Sequence, residues 1–236
     1  NAYYHTNVLY DRIREVLDDQ SWTLRQVPFR VTTNFLIPSL SLKTKGGLAL
    51  GVFNNGLFIP KEFAKDFEKY GIERNFDSVI LGQGTYTDIA YDATVVYHEV
   101  SHGINETYVK IHETLLDNYG SIRYPFAINE ALADYFSLIT SKTSVYGAFL
   151  DSWLTKEGRE SRGGSFFRDP NNTRICPDNI VGEEHADGKI ILGSLWEIRN
   201  FAKENGISEL DFDAAVLLAV MAELPDGSTF DNAGKA

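Results

Sequence analysis

The stretch Tyr97-His98-Glu99-Val100-Ser101-His102-Gly103 places two imidazoles four residues apart, with a carboxylate directly after the first. Residues i and i+4 of an α-helix lie on one face, about one turn apart. The apolar run that precedes the stretch predicts that this helix is buried. Two neutral imidazoles at this separation can hold one divalent cation, so His98 and His102 are candidate metal ligands.

Glu99 follows the first imidazole, where a general base for a metal-bound water is needed. A zinc ion with an open coordination position lowers the pKa of its water to about 7. The combination is the H-E-x-x-H pattern of zinc peptidases. The alternative is a core helix with two satisfied histidines and a solvated glutamate, and this alternative is favoured unless a third ligand follows.

A third ligand does follow, in Asn129-Glu130-Ala131-Leu132-Ala133-Asp134. Glu130 and Asp134 are four residues apart and share one face of a predicted helix. Two carboxylates on a buried helix repel each other and lose hydration unless a positive or hydrogen-bonding group meets them. A metal for Glu130 and the second ring nitrogen of a ligand histidine for Asp134 would meet both needs. The alternative is a solvated acidic face. The helix itself is predicted by apolar residues at helical spacing: Ile128, Leu132, Tyr135, Phe136 and Ile139.

H-E-x-x-H followed by N-E-A-x-x-D on the next long helix resembles the thermolysin-type metallopeptidases. Asn1-Ala2-Tyr3-Tyr4 with Tyr10-Asp11 is similar to the helix near the start of that catalytic domain, and Phe53-Asn54-Asn55-Gly56-Leu57-Phe58 resembles its substrate-binding edge strand. His185-Ala186-Asp187-Gly188 resembles the segment with the family's transition-state histidine, and its Gly and Trp placement is closer to the fungalysin branch. The similarity runs from Asn1 to about Asn205.

The resemblance implies an α+β fold of the zincin-like, thermolysin type with two lobes. Residues 1–104 would form a β-rich lobe that includes the edge strand and the H-E-x-x-H helix, and residues 105–236 a mainly helical lobe. It also implies a secreted zinc-dependent endopeptidase with a protein or peptide substrate, which we expect to be a monomer. The chain itself contains no signal peptide.

The same resemblance implies roles for individual residues. His98, His102 and Glu130 would bind one catalytic Zn²⁺, Glu99 would be the general base, and Asp134 would orient His98. His185 would stabilise the oxyanion, with Glu183, Glu184 or Asp187 orienting its ring; by spacing alone His185 is a surface or capping residue. Asn55 and Gly56 would bind the substrate backbone, although an Asn-Asn-Gly hairpin turn is the alternative.

The interval between His102 and Glu130 is longer than in thermolysin, which predicts an insertion at Val109–Arg123. The insertion leaves two candidates, Tyr119 and Tyr124, for the family's active-site tyrosine. Thermolysin's calcium-binding acidic clusters have no clear match, so Ca²⁺ is optional in this expectation.

Composition excludes several classes of protein. The 236 residues are 43% hydrophobic, and 33 acidic against 22 basic residues give a net charge of −11. This balance argues against nucleic acid or an anionic membrane as partner. No stretch is long and apolar enough for a transmembrane helix, and one cysteine, Cys176, cannot form an internal disulfide. The chain begins without Met, and we expect its helical lobe to continue past Ala236.

Periodicity predicts the remaining elements. A first helix is expected over 1–19, then a strand through Val27, Phe29 and Val31 that Pro28 assigns to a sheet edge, and a strand over 77–82. Asp92 is the expected N-cap of the His98 helix, with its end near Gly103–Asn105. Further helices are expected over 126–140, 145–156 and 208–224, and a surface loop system over 158–184.

Two other functions fit the same residues. An aminopeptidase of the same ligand clan would need an acidic group for the substrate amine, and the Gly-x-Met-Glu-Asn signature of those enzymes is absent. A catalytically silent binding domain would keep the fold without turnover, but metal binding alone does not require Glu99.

Overall fold

The chain has a mixed α+β fold, as the sequence predicts. The computed structural model describes residues 1–17, 30–44, 47–108, 115–117, 120–156 and 168–223. Within these ranges, none of the helices combines the length and the apolar character that crossing a bilayer requires.

Helices dominate the described chain. They are α1 (Ala2–Leu17), α2 (Lys61–Ala64), α3 (Ala93–Tyr108), α4 (Tyr124–Ser141), α5 (Ala148–Lys156), α6 (Glu184–Glu204) and α7 (Glu209–Glu223). Short 3₁₀ turns cover Lys65–Tyr70 and Ile89–Tyr91. The strands are β1 (Arg30–Thr44), β2 (Gly47–Val52), β3 (Gly56–Ile59), β4 (Ser78–Gly82), β5 (Leu115–Asp117) and β6 (Gly120–Ile122).

Four strands form one sheet in the order β2-β1-β4-β3, in which only the β1–β4 pair is parallel. The short β3 is an edge strand paired with β4, in agreement with the prediction for Phe53–Phe58. The strand expected near Pro28 is described from Arg30 onward. There β1 pairs with β4 from Arg30 to Phe35 and with β2 only from Leu36, so the expected edge position near Pro28 stays a prediction. Residues 27–29 themselves lie outside the described ranges. The small hairpin of β5 and β6 falls within the predicted insertion.

Helix α3 lies in the centre of the molecule, against α1, α4 and strands β3 and β4. Its apolar face is fully enclosed by the main hydrophobic cluster, to which it contributes Val95, Val96, Val100 and Ile104. Because this burial continues past Gly103, the helix runs to Tyr108 instead of ending near Gly103–Asn105.

Helix α4 packs along α3 and is buried on nearly all of its circumference. It begins two residues earlier than predicted. Pro125 lies in its first turn, where a backbone N–H would have no partner within the helix, so the missing N–H of proline costs no hydrogen bond. Helix α6 packs on the other side of α4. The two ligand-bearing helices are therefore held by the core, and α6 carries His185 to the same region.

Side-chain caps set the start of α3. Asp92 accepts hydrogen bonds from the backbone N–H of Thr94 (3.0 Å) and, through its other oxygen, from that of Leu150 (3.2 Å). The same carboxylate therefore caps α3 and fixes α5. Asn1, just before α1, donates its side-chain amide to the carbonyl of Ala90 and so ties the start of α1 to the turn before α3.

Two further expectations concern the chain beyond α4. The helix expected over 208–224 is α7, and it has a solvent face, since Leu218 is 47% exposed while Val216, Leu217 and Val220 are buried. The loop system expected at the surface over 158–184 is described from residue 168 onward, and there it is partly internal, since Arg168 is buried. The position 104/105, expected as a lobe boundary, falls inside α3, and that boundary stays a prediction.

Candidate active site

Three side chains of α3 and α4 converge on one point. His98 Nε2 and His102 Nε2 are 3.0 Å apart, and the Glu130 carboxylate lies 3.2 Å from the first and 3.4 Å from the second. The ligand atoms of these three residues all lie within 4.8 Å of one another. The i, i+4 spacing on α3 and the packing of α4 against it produce this convergence.

The second nitrogen of His98 faces Asp134. Nδ1 lies 2.8 Å from Asp134 Oδ1, and neither buried atom has another hydrogen-bond partner among the described residues. Arg168 Nη1 lies 3.1 Å from Glu130 Oε2 and 3.2 Å from Asp134 Oδ2, so one guanidinium bridges both carboxylates of α4. The Arg168 side chain stacks on the ring of Tyr146, 4.2 Å from its centroid.

The second nitrogen of His102 is fixed by Asn129, the residue before Glu130. Its Nδ1 lies 3.0 Å from Asn129 Oδ1, which also accepts a hydrogen bond from Asn105 Nδ2 at 2.7 Å. A ring nitrogen held by an outer partner leaves the other nitrogen directed at the point of convergence. Both imidazoles are therefore held in orientation through their Nδ1 atoms, by Asp134 and by Asn129.

Burial and the nearby charges shift the ionisation of these groups. Burial opposes the charged form of His98, but Glu130 and Asp134 outweigh it and raise its pKa to about 9. Burial lowers the pKa of His102 to about 4, against the effect of Glu130. Burial would raise the pKa of Glu130, but His102 and His98 hold it well below its usual range. The three groups are thus coupled: Glu130 favours positive charge on the imidazoles, and the imidazoles keep Glu130 ionised.

Glu99 points into the same cleft from α3. Burial raises its pKa to about 7, with His98 acting in the opposite direction, and this value suits a general base near neutral pH. Gly56 of β3 lies directly against it, since a Cβ at this position would be 2.4 Å from Glu99 Oε1. The absence of a side chain at residue 56 therefore lets the edge strand border the carboxylate.

The cleft has a volume of about 440 Å³. One wall is formed by β3 and the residues beside it, including Asn55, Gly56 and Phe58, and the opposite wall by α4 and the start of α6. His98, Glu99, His102 and Glu130 lie between them. The structure therefore brings the predicted substrate-binding residues, the candidate ligands and the candidate base into one cavity.

His185 lies at the cleft on the first turn of α6. Its Nε2 is 3.5 Å from Glu130 Oε2, and its Nδ1 is 2.6 Å from Glu183 Oε1. Glu183 is also the N-cap of α6, because its other oxygen accepts from the backbone N–H of Ala186. Of the three candidates for orienting the ring, Glu183 makes the contact. Asp187 accepts backbone N–H groups of the preceding loop instead, and Glu184 pairs with Arg123.

The choice of active-site tyrosine stays a prediction. Tyr119 lies outside the described residues, and Tyr124 is half-buried at the first position of α4, outside the set of side chains that line the cleft. Tyr146, which the sequence reasoning did not consider, does line the cleft, with its ring 5.1 Å from that of His98.

Arg168 is the other residue that sequence reasoning missed. The demand for a positive group beside Glu130 and Asp134 was visible in the sequence, but several arginines could have met it. The backbone pairing of Arg168 with Tyr146 brings it to the cleft, and this pairing is a long-range contact without a local sequence signal.

The chemistry of the cluster fits a divalent metal. Two buried imidazole nitrogens and one carboxylate converge, each imidazole is oriented by an amide or a carboxylate behind it, and two His with one Glu is a ligand set of catalytic zinc. A ligand imidazole must be neutral, so a dication would compete with protons for His98 and His102.

No family model matches this sequence, and no curated protein shows significant sequence similarity to it.

Proposed function

We propose that the protein is a zinc-dependent endopeptidase of thermolysin-like type. The observation that carries the proposal is the convergence of His98, His102 and Glu130 on one point, with the buried Glu99 beside it and an edge strand along the same cleft. Zinc held by these ligands would polarise a water molecule and lower its pKa to about 7.

The chain's own residues supply the remaining chemistry. Glu99 accepts a proton from the attacking water and passes it to the leaving amine, for which a pKa near 7 is well suited. His185, held by Glu183, donates a hydrogen bond through Nε2 to the oxyanion that forms on the substrate carbonyl. Asp134 and Asn129 keep the two ligand rings in orientation.

The substrate in this proposal is an extended peptide or protein segment added to β3. Among the described strands β3 pairs with β4 alone, so its other edge offers backbone hydrogen bonds, which read the peptide independently of its side chains. Gly56 allows the peptide to approach closely, and Asn55 at the cleft wall offers a side-chain amide. The two-lobed zincin arrangement, with a β-rich lobe over residues 1–104 and a helical lobe over residues 105–236, belongs to the same proposal.

The aminopeptidase and the silent domain are the competing functions. Cleavage of peptides with a blocked N-terminus separates an endopeptidase from an aminopeptidase, since the latter requires the free amine. A silent domain would bind metal without hydrolysing any peptide.

The deciding experiment compares the parent with Glu99→Gln and with a matched control, Glu204→Gln, whose side chain is exposed at the C-terminal end of α6 and does not line the cleft. We expect about one bound zinc in all three proteins, hydrolysis of a blocked peptide by the parent and the control only, and loss of hydrolysis with a chelator. Zinc without hydrolysis in the parent would support the silent domain. No zinc at all would contradict the proposal.

A further inference from the structure

A second, smaller cavity lies beside the metal cleft, with a volume of about 190 Å³. We call it the Leu57 pocket, because Leu57 of β3 lines both this cavity and the cleft. Its other walls come from β1, the end of β2, β4 and the 3₁₀ turn over Lys65–Tyr70. They are apolar or aromatic, and include Phe35, Ile37, Phe53, Phe67 and Tyr70.

The cleft and the pocket lie on opposite faces of β3. Gly56 and Phe58 pair with Leu81 and Val79, which belong to the main core around α3. Leu57 pairs with Ile80, which belongs to a separate small cluster that Phe35, Phe53 and Phe67 cover. Successive side chains of a strand point to opposite faces, so the pleat of β3 divides the cleft from the pocket at Leu57.

On the basis of the proposed peptidase function, we infer that the Leu57 pocket is a substrate subsite for a large apolar side chain. A peptide added to the outer edge of β3 follows the same pleat, so every second side chain lies on the face of the metal cleft and the side chains between them lie on the face of the pocket. One bound peptide would therefore be recognised on both faces of β3.

The walls select the chemistry of that side chain. The pocket has no acidic or basic residue among its lining side chains in the described chain, so a charged substrate side chain would lose hydration there without a partner. Ile37, Leu57 and Tyr70 at the pocket are each about one-third exposed, with exposed fractions of 36%, 36% and 37%. An apolar substrate side chain would cover this surface and gain the free energy of burial.

The position of the pocket also selects for size. Leu57 stands between an added strand and the rest of the pocket, so a substrate side chain must extend past Leu57 to fill it. Aromatic and long side chains have that reach. Leu, Met and Phe should therefore be accepted, and Ala or Ser should gain little.

The test is a cleavage profile of the zinc-loaded protein on a peptide series with blocked ends. Each position around the cleaved bond is varied in turn among Phe, Leu, Asn and Glu. We expect the parent to favour Phe and Leu over Asn by about tenfold, on kcat/KM, at one position whose two sequence neighbours show a different profile.

Two matched variants locate that preference. Ile37→Lys introduces a cation at the pocket, and Leu50→Lys makes the same change on β2, where Leu50 is 59% exposed and does not line the pocket. Ile37→Lys should abolish the apolar preference and favour Glu at that position, while Leu50→Lys keeps the parent profile. Circular dichroism and zinc content check that both variants are folded.

Failure of the inference and failure of the proposed function are distinguishable. A parent that cleaves peptides with no apolar preference at any position, or an Ile37→Lys profile identical to the parent's, would overturn the subsite and leave the peptidase intact. A zinc-loaded parent that cleaves none of the peptides would remove the peptidase function, and the subsite with it.

Discussion

Replacing Arg168 by Met should destabilise the protein strongly, because Arg168 is a buried cation between two carboxylates. Its side chain is 2% exposed, with Glu130 Oε2 and Asp134 Oδ2 at 3.1 and 3.2 Å. Methionine fills much of the same volume but leaves both carboxylates without the guanidinium. Removing one partner of a buried ion pair costs about 3–5 kcal/mol of unfolding free energy. In a chain of this size each kcal/mol lowers Tm by about 2–4 °C, so we expect a fall of about 6–20 °C.

Zinc should reduce this loss. A dication held by Glu130 would neutralise part of the charge that Arg168 normally balances, and it would stabilise the native state by mass action. The fall in Tm caused by Arg168→Met should therefore be larger with a chelator than with excess zinc. Thermal unfolding of parent and variant, followed by circular dichroism under both conditions, measures the difference.

Two further variants serve as controls. Arg123→Met removes a half-exposed arginine that pairs with Glu184, and an exposed pair contributes at most about 1 kcal/mol. The double variant Arg168→Met with Asp134→Asn removes one of the two carboxylates that lose their counter-ion. It should therefore be more stable than Arg168→Met alone, because the effects of mutations at contacting residues are not additive. If Arg168→Met lowers Tm no more than Arg123→Met, the assignment of Arg168 as the buried counter-ion is refuted.

Two other predictions concern the groups around the ligands. Asn129→Leu removes the contact at 3.0 Å to His102 Nδ1 and should weaken zinc binding about 10–100-fold, measured by competition with a chromogenic chelator; an unchanged affinity would show that His102 does not need this partner. His185→Gln should lower kcat about 10²–10³-fold at unchanged zinc content, because an oxyanion donor is lost; a parental rate, or loss of the zinc itself, would exclude that role.

Local sequence predicted the elements that present the candidate ligands. His98 and His102 lie one helical turn apart on α3, and Glu130 and Asp134 lie one helical turn apart on α4. Both helices were predictable because their apolar residues repeat at helical period over many positions. The ends were less predictable: α3 runs to Tyr108 because its burial continues past Gly103, and no local signal reports how far a core extends.

Long-range contacts were not predictable in the same way. Arg168 reaches the site through a backbone pairing with Tyr146, and β1 pairs with β4 along its first residues and with β2 along its later ones. The Leu57 pocket arises where β1, β4, β3 and a 3₁₀ turn meet. None of these contacts is encoded by residues that are neighbours in the chain.

The amino-acid sequence by itself determined the class of fold, the two helices and the residue types that can hold a metal, because helical periodicity and i, i+4 spacing are local properties of the chain. Only the tertiary structure decided which groups surround those residues: Arg168 between the two carboxylates, Asn129 behind His102 and Gly56 against Glu99. The pKa of Glu99, near 7, likewise follows from burial and neighbouring charge. These quantities depend on distances between segments remote in sequence, which packing of the core alone establishes.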